Sequence, residues 1–245
     1  MYPVLFRIGT FEITSFGAMV AVAALAGLWL FQRELVRSRL PVAAFDAALW
    51  GLIGGLLGGK LLWVAEHFGE APAGSLLLTR GGLSWYGGFV GGVGTGLLVI
   101  LGRHLPLVPT LAAATPALAF GHLLGRIGCF LVGDDYGRPS DLPWAVAFPQ
   151  GLPPTSVPVH PTQLYEAIFL GVLGWLLLRW RRRPVPDAVV LGRYLVLAGG
   201  ARFLIEFIRV NVRVALGMTM AQWASLALML IGVVLLARQP ARHPA

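Results

Sequence analysis

"TLAAATPALAFGHLLGRIGCFLV", residues 110–132, stays apolar over its whole length and admits one formal charge, Arg126. At a rise of about 1.5 Å per residue, a helix of this length crosses the roughly 30 Å of hydrocarbon in a bilayer. Similar runs recur at 15–32, 43–65, 84–101, 162–179, 188–208 and 219–237. Backbone N–H and C=O groups find no water in lipid, so each run is read as a helix that satisfies them internally. Composition agrees: of the 245 residues 57% are hydrophobic and 12% charged, where a soluble domain carries about 25% charged residues. The sequence therefore predicts an all-α integral membrane protein of about seven transmembrane helices, organised as one polytopic domain over 1–245. Residues 133–159 hold a cluster of prolines between the fourth and fifth helices and are expected to form a small cap outside the bilayer.

Arginine sets the orientation, because short cytoplasmic loops are enriched in Arg and Lys. Arg33, Arg37, Arg39, Arg103, Arg179, Arg181, Arg182, Arg183, Arg238 and Arg242 fall on one side of the predicted spans, and Arg7, Arg80, Arg138, Arg209 and Arg213 on the other. Ten against five puts the N terminus outside and the C terminus in the cytoplasm. The formal charge of +8 is thus mainly an orientation signal. The cluster "RWRRR" at 179–183 is read as topogenic, with anionic lipid headgroups as incidental partners and no role for nucleic acid. The first apolar run lacks a small-residue cleavage site and is expected to stay on the protein. Cys129 is the single cysteine, so no intramolecular disulfide forms. His67, His104, His122, His160 and His243 are scattered without zinc-type spacing, and neither a metal nor another cofactor is expected.

Glycine carries the packing signal. Gly51, Gly55 and Gly59 repeat every four residues, as do Gly88, Gly92 and Gly96. Such stripes let helix backbones approach closely in lipid. Gly87 and Gly88 stand at an expected helix start, where backbone N–H groups can face an anion.

Charges inside apolar runs are costly, about 2.5–3.5 kcal/mol for a central arginine on insertion scales. Lys60, Arg126, Arg202 and Glu206 all fall in or near predicted spans. Arg202, Glu206 and Arg209 are spaced i, i+4, i+7 and would share a helix face about 60° wide. A local Arg202–Glu206 ion pair with Arg209 reaching the interface is one explanation. It leaves Arg126 without a partner. Two arginines converging near the outer surface form a fork suited to a phosphate, and a membrane phosphodiester is the obvious anion.

The motifs that carry these residues resemble a known family. "GGLSWYGGFVGG" (81–92), "GRIGCFLVGDDYGRP" (125–139), "VHPTQLYEA" (159–167), "RFLIEFIR" (202–209) and "MTMAQWASL" (218–226) are similar, in order and spacing, to prolipoprotein diacylglyceryl transferases. The resemblance implies a seven-helix enzyme of the bacterial inner membrane. Such an enzyme moves the diacylglyceryl group of phosphatidylglycerol to the lipobox cysteine of a preprolipoprotein, forming a thioether and releasing glycerol phosphate. By motif, Arg126 and Arg202 would grip the phosphate. Gly128, Gly133 and Gly137 match signature glycines, and Asp134 stands where an acidic residue is common and would hold an arginine. His160, Gln163, Tyr165 and Glu166 match the "HPxQLYE" motif and are read first as structural supports, second as substrate contacts. Pro161 suits the start of a helix, and Glu166 one turn in favours it electrostatically.

The departures concern the proton. Tyr86 stands where well-studied branches carry a histidine; Cys129 and Val132 replace asparagines, and Phe16 and Ala198 stand at positions where a tyrosine is common or expected. A tyrosine with a reference pKa near 10 is a poor base unless a cation lowers it. Three readings follow: the same transfer, with Tyr86, Glu206, Asp134 or prior ionisation of the substrate thiol handling the proton; a related glyceryl or phosphoglyceryl transfer to another acceptor; or a lipid-binding or lipid-moving protein without chemistry. Cys129 is read as a small buried residue, with a covalent intermediate as the alternative. A transporter predicts a polar path across the bilayer and paired halves, and the sequence has no convincing internal repeat.

Overall fold

The computed structural model describes residues 2–9, 11–79 and 82–238. Arg80, Gly81, Arg242 and His243, which entered the charge and motif readings, lie outside them. A hairpin of β1 (Val4–Ile8) and β2 (Phe11–Thr14) leads into α1 (Ser15–Arg37). A 3₁₀ turn over Val42–Ala44 precedes α2 (Phe45–Glu66), followed by the short α3 (Ala73–Leu78), α4 (Trp85–Gly102) and α5 (Leu107–Val132). The segment 133–159 carries an antiparallel hairpin of β3 (Val146–Phe148) and β4 (Thr155–Val159). Next come α6 (Thr162–Arg181) and α7 (Asp187–Ile205), then β5 (Arg213–Ala215), β6 (Met218–Thr219) and α8 (Met220–Ala237).

Local chemistry sets several of these boundaries. Pro72, Pro161 and Pro186 stand immediately before α3, α6 and α7, where a fixed φ suits helix entry and no intrahelical donor is lost. Thr219 and Gln222 form a reciprocal cap on α8: Gln222 N–H donates to Thr219 Oγ1 at 3.2 Å, and Thr219 N–H donates to Gln222 Oε1 at 3.0 Å.

One boundary differs from expectation. The apolar run 188–208 predicts a helix to 208, yet α7 ends at Ile205 with Glu206 as its C-cap. Beyond it the chain turns and its main chain pairs elsewhere: Arg138 N–H donates to Ile208 O at 2.9 Å, and Arg209 bridges Gly137. Arg202, Glu206 and Arg209 therefore do not share one helical face.

Among the described residues, six of the long segments, with 42–66 counted as one, have the length and hydropathy to cross a bilayer. At 20 residues, α6 is the seventh long helix. One face of α6, with Thr162, Gln163, Glu166, Ala167, Leu170 and Leu173, is buried in protein, while Ile168, Val172 and Trp175 are exposed. The buried face can hold polar groups that a lipid-facing surface cannot.

The chain packs as two compact units, Met1–Leu30 with Leu111–Ala245, and Phe31–Thr110. In the first, Ala119 of α5, Leu173 and Leu177 of α6 and Val190 of α7 form the centre, with Phe169, Trp180 and Tyr194 against it. Gly174 lets α6 meet Phe120, where a Cβ would come within 2.8 Å of the ring. Gly192 and Gly232 do the same for α7 and α8.

In the second unit α2 and α4 pack backbone to backbone. The expected stripes lie in this contact: a Cβ on Gly51, Gly55 or Gly59 would come within 3.2–3.4 Å of the facing backbone, closer than an ordinary contact. The tightest positions are Gly54 and Gly58 against Gly87 and Gly91, where an added Cβ on either side would overlap the facing backbone or Thr95. Lys60, costly in the sequence, donates to Thr79 O at 2.8 Å and lies 4.7 Å from the centre of the Trp63 ring. Gly91→Val is expected to cost about 1–3 kcal/mol by overpacking. Its measure is a lower melting temperature in detergent, and an unchanged one would mean that the two helices do not approach this closely.

Candidate active site

All the charged groups of the proposed fork lie in the first unit, and α5, α6 and α7 each deliver at least one. Arg126 sits on α5, one turn after His122. Its Nη1 donates to Asp135 Oδ2 at 2.8 Å. Its Nε lies 2.8 Å from Glu166 Oε2 and donates to His122 Nε2 at 3.2 Å. Arg202, in the last turn of α7, donates from Nη1 to Glu166 Oε1 at 3.3 Å and pairs through Nη2 with Glu206 Oε2 at 2.8 Å. The two arginines thus share one carboxylate, Glu166 on α6. Arg209 brings a third guanidinium. Its Nη2 bonds Asp135 Oδ1, while Nη1 and Nε lie 4.0 Å from Glu166 Oε2 and 3.9 Å from Glu206 Oε2.

Three guanidiniums face three carboxylates, Asp135, Glu166 and Glu206, so the cluster is formally neutral. That balance accounts for how Arg126, Glu166, Glu206 and Arg209 can all be buried: each charge is compensated by opposite charge within hydrogen-bonding or ion-pair distance. Glu206 also accepts from Asn211 Nδ2 at 2.6 Å.

The loop after α5 is built to aim Asp135. Gly133 takes a φ of +80° and Asp135 one of +60°. For a non-glycine residue the left-handed region costs about 1–2 kcal/mol, so neighbours must hold it. Thr162 Oγ1 donates to Asp135 O at 2.8 Å, and Gln163 Nε2 donates to Asp134 O. Burial alone would raise the Asp135 carboxyl; the guanidiniums of Arg209 and Arg126 outweigh it and hold the group below its ordinary value. Its contribution to stability is therefore complete above the ordinary aspartate range and lost as pH falls through the lowered value.

Asp134, expected to hold an arginine, forms no such ion pair; its neighbour does. Burial pushes the Asp134 carboxyl above the ordinary value despite its contact with the Cys129 thiol. Cys129, Asp134 and Asp135 have ligand atoms within 4.8 Å of one another. Asp135 is already bound by Arg126 and Arg209, which disfavours a cation there.

The motif glycines and the "HPTQLYE" residues serve the same construction. A Cβ on Gly137 would come within 2.7–2.9 Å of Ile208 O, His160 and Thr162, so only glycine lets the segment carrying Arg209 come this close. Gly128 faces Met19 and Phe16 on α1. His160 O accepts from Gly137 N–H at 2.9 Å, and His160 Nδ1 lies 3.4 Å from Tyr165 Oη. Tyr165 Oη accepts from Trp144 Nε1 at 2.7 Å, which ties α6 to the 133–159 segment.

Tyr86, Gly87 and Gly88 belong to the other unit, on the first turn of α4. Tyr86 is largely exposed, edge-on to Trp85 at 5.4 Å. Gly88 N–H donates to Ser84 O at 3.0 Å, so the expected anion contact is corrected for Gly88; Gly87 is pressed against Gly58 of α2.

Sequence reasoning missed Asp135, His122 and Asn211 and gave Glu166 too small a role. The available signal was a carboxylate one helical turn inside an apolar run, the same signal that marked the arginines.

The model of the family described as "Prolipoprotein diacylglyceryl transferase" matches residues 3–238. A phosphatidylglycerol–prolipoprotein diacylglyceryl transferase of Idiomarina loihiensis is 33% identical over 254 residues, covering 99% of this chain and 94% of its own. Proteins of that name are 35% identical in Methylobacillus flagellatus, over 96% and 95% of the two chains, and 33% identical in Clostridium tetani, over 95% and 96%. The chain belongs to the prolipoprotein diacylglyceryl transferase family.

Proposed function

We propose that this multi-pass membrane protein transfers the diacylglyceryl group of phosphatidylglycerol to the lipobox cysteine of a preprolipoprotein. The sulfur attacks the glycerol carbon bonded to the phosphate oxygen. A C–S bond forms, the C–O bond breaks, and glycerol phosphate leaves with the electron pair. Negative charge grows on the phosphate as the bond breaks, and fixed cations there lower the barrier by several kcal/mol in a dry site.

The observation that carries the reading is the sharing of Glu166 by Arg126 and Arg202, which fixes two guanidiniums about one buried carboxylate. Arg126 would hold the phosphate, with Arg202 and Arg209 beside it. Glu166 and Glu206 keep the arginines in position. Gly128, Gly137, His160, Gln163 and Tyr165 shape the segments that frame the headgroup, and Asp134 lines it.

The thiol must lose its proton, since the thiolate is the nucleophile. On the resemblance alone, which puts Tyr86 where relatives carry a histidine, we assign Tyr86 this proton path. Tyr86→Phe is then expected to lower transfer at neutral pH by about 10²-fold, with the loss shrinking as pH rises toward the ionisation of the substrate thiol. Tyr86→His should be tolerated. Full turnover by the Phe variant would remove Tyr86 from this role.

The arginine asymmetry supports an N terminus outside and a C terminus in the cytoplasm, with residues 133–159 as a periplasmic cap. Reporter fusions at Arg183 and at residue 150 should then read opposite sides. The reaction itself is tested with purified protein, phosphatidylglycerol and a lipobox peptide. A peptide mass increased by one diacylglyceryl group, resistant to thioester cleavage, is expected; an unmodified peptide beside an active relative overturns the assignment.

A further inference from the structure

One anion of the cluster bridges two guanidiniums from an exposed position. Asp135 places Oδ2 on Arg126 Nη1 and Oδ1 on Arg209 Nη2, one oxygen for each guanidinium. The two non-bridging oxygens of a phosphodiester offer the same pair of acceptors on one centre. We propose that the Asp135 carboxylate is a placeholder in the headgroup seat: it neutralises Arg126 and Arg209 in the empty enzyme and swings aside when the lipid phosphate takes its position.

Exposure singles out Asp135 among the three carboxylates. Its side chain is 42% exposed, against 6% for Glu166 and 0% for Glu206. Moving a buried carboxylate would leave buried arginines unpaired and carry a charge through protein. Asp135 lies on a loop and only has to rotate into water. The exchange also conserves charge, since one phosphodiester anion replaces one carboxylate.

Arg209 supplies an independent observation. Its side chain is 6% exposed, and its Nε and Nη1 have no hydrogen-bond partner. Buried donors of this kind are uncommon. They point at acceptors nearly 4 Å away on Glu206 and Glu166, beyond hydrogen-bonding range. A phosphate seated beside Arg209 has more oxygens than a carboxylate and can take one of these donors as well. Asp135 is also held at φ +60°, a conformation that its neighbours impose to put the carboxylate in this seat.

The proposal rests on the reading that Arg126 holds the lipid phosphate, and the experiment separates the two. Asp135→Asn is nearly isosteric, and asparagine tolerates the left-handed region, so the change removes charge and little else. Phosphatidylglycerol binding is measured on the full chain in phosphatidylcholine nanodiscs for the wild type, Asp135→Asn and Arg126→Gln. If the carboxylate fills the seat about nine-tenths of the time, it weakens apparent affinity about tenfold. Asp135→Asn should therefore bind about tenfold tighter and show a lower KM for the lipid, while Arg126→Gln loses binding. Equal or weaker binding by Asp135→Asn, with binding lost in Arg126→Gln, overturns the placeholder and leaves the phosphate role standing. Unchanged binding by Arg126→Gln overturns that role and the placeholder with it. Asp135→Ser repeats the reading should the Asn protein fail to fold.

Discussion

Arg202→Ala is expected to lower diacylglyceryl transfer by about 10²–10³-fold, the loss that follows removal of one donor from a charge-stabilising site, while membrane insertion stays intact. Arg202 is the most exposed of the three guanidiniums, so it can reach a ligand without rearranging the cluster. It also spans two carboxylates, Glu166 and Glu206, on separate nitrogens. A lysine offers a single point charge on a flexible stem and cannot reproduce that fork. Arg202→Lys should therefore fall between the wild type and the alanine variant. Transfer is read by mass analysis of a lipobox peptide and insertion by recovery in washed membranes. Wild-type turnover by Arg202→Ala would detach the phosphate role from this residue, whatever its ion pairs do for the fold.

Arg126 and Arg202 were legible because a charge in an apolar run carries a cost that something must offset. Of what offsets it, the Arg202–Glu206 pair, at 2.8 Å, was legible too; the carboxylate that Arg126 and Arg202 share was not. Glu166 precedes Arg202 by 36 positions in the chain, and no periodicity on α6 indicates which helices its carboxylate will face. Its position in the first turn has a sufficient local explanation, stabilisation of the helix start, and that explanation hid the long-range one. Asp134 and Asp135 present the same problem at closest range. Which of two adjacent carboxylates turns to the arginines depends on the φ of Gly133 and Asp135, and those are set by Thr162 and Gln163 from another helix.

The helices themselves were largely readable, with errors that have a physical pattern. Glycines four apart mark a close contact, but α2 and α4 each carry more than one such series. Only the partner decides whether Gly54 and Gly58 or Gly55 and Gly59 meet it most tightly. The end of α7 was overrun because "FIR" continues the apolar character of the helix. Its main chain is instead engaged by Gly137 and Arg138, a competition that hydropathy does not register. That early end is what frees Arg209 to approach Asp135.

Glu166→Gln is expected to cost about 3–5 kcal/mol of stability, the usual penalty for removing one partner of a buried ion pair, and to abolish transfer as well. The amide keeps the size of the side chain and one oxygen acceptor. It removes the negative charge that Arg126 and Arg202 share at 2.8 and 3.3 Å, with Arg209 only 4.0 Å away. Three guanidiniums would then face two carboxylates, and the cluster would carry a net +1 inside protein. The melting temperature in detergent should fall by many degrees. A purely structural loss and a loss of the anion site can be told apart with glycerol phosphate, which supplies the missing negative charge. It should raise the melting temperature of the Gln variant more than that of the wild type, because the wild-type cluster is already neutral. Transfer should stay low even where the ligand restores stability, since guanidiniums released from Glu166 no longer hold the spacing that the departing phosphate requires. A Gln variant that melts and turns over like the wild type would mean that Arg126 and Arg202 do not meet at this carboxylate, and the seat between them would have to be sought elsewhere in the bundle.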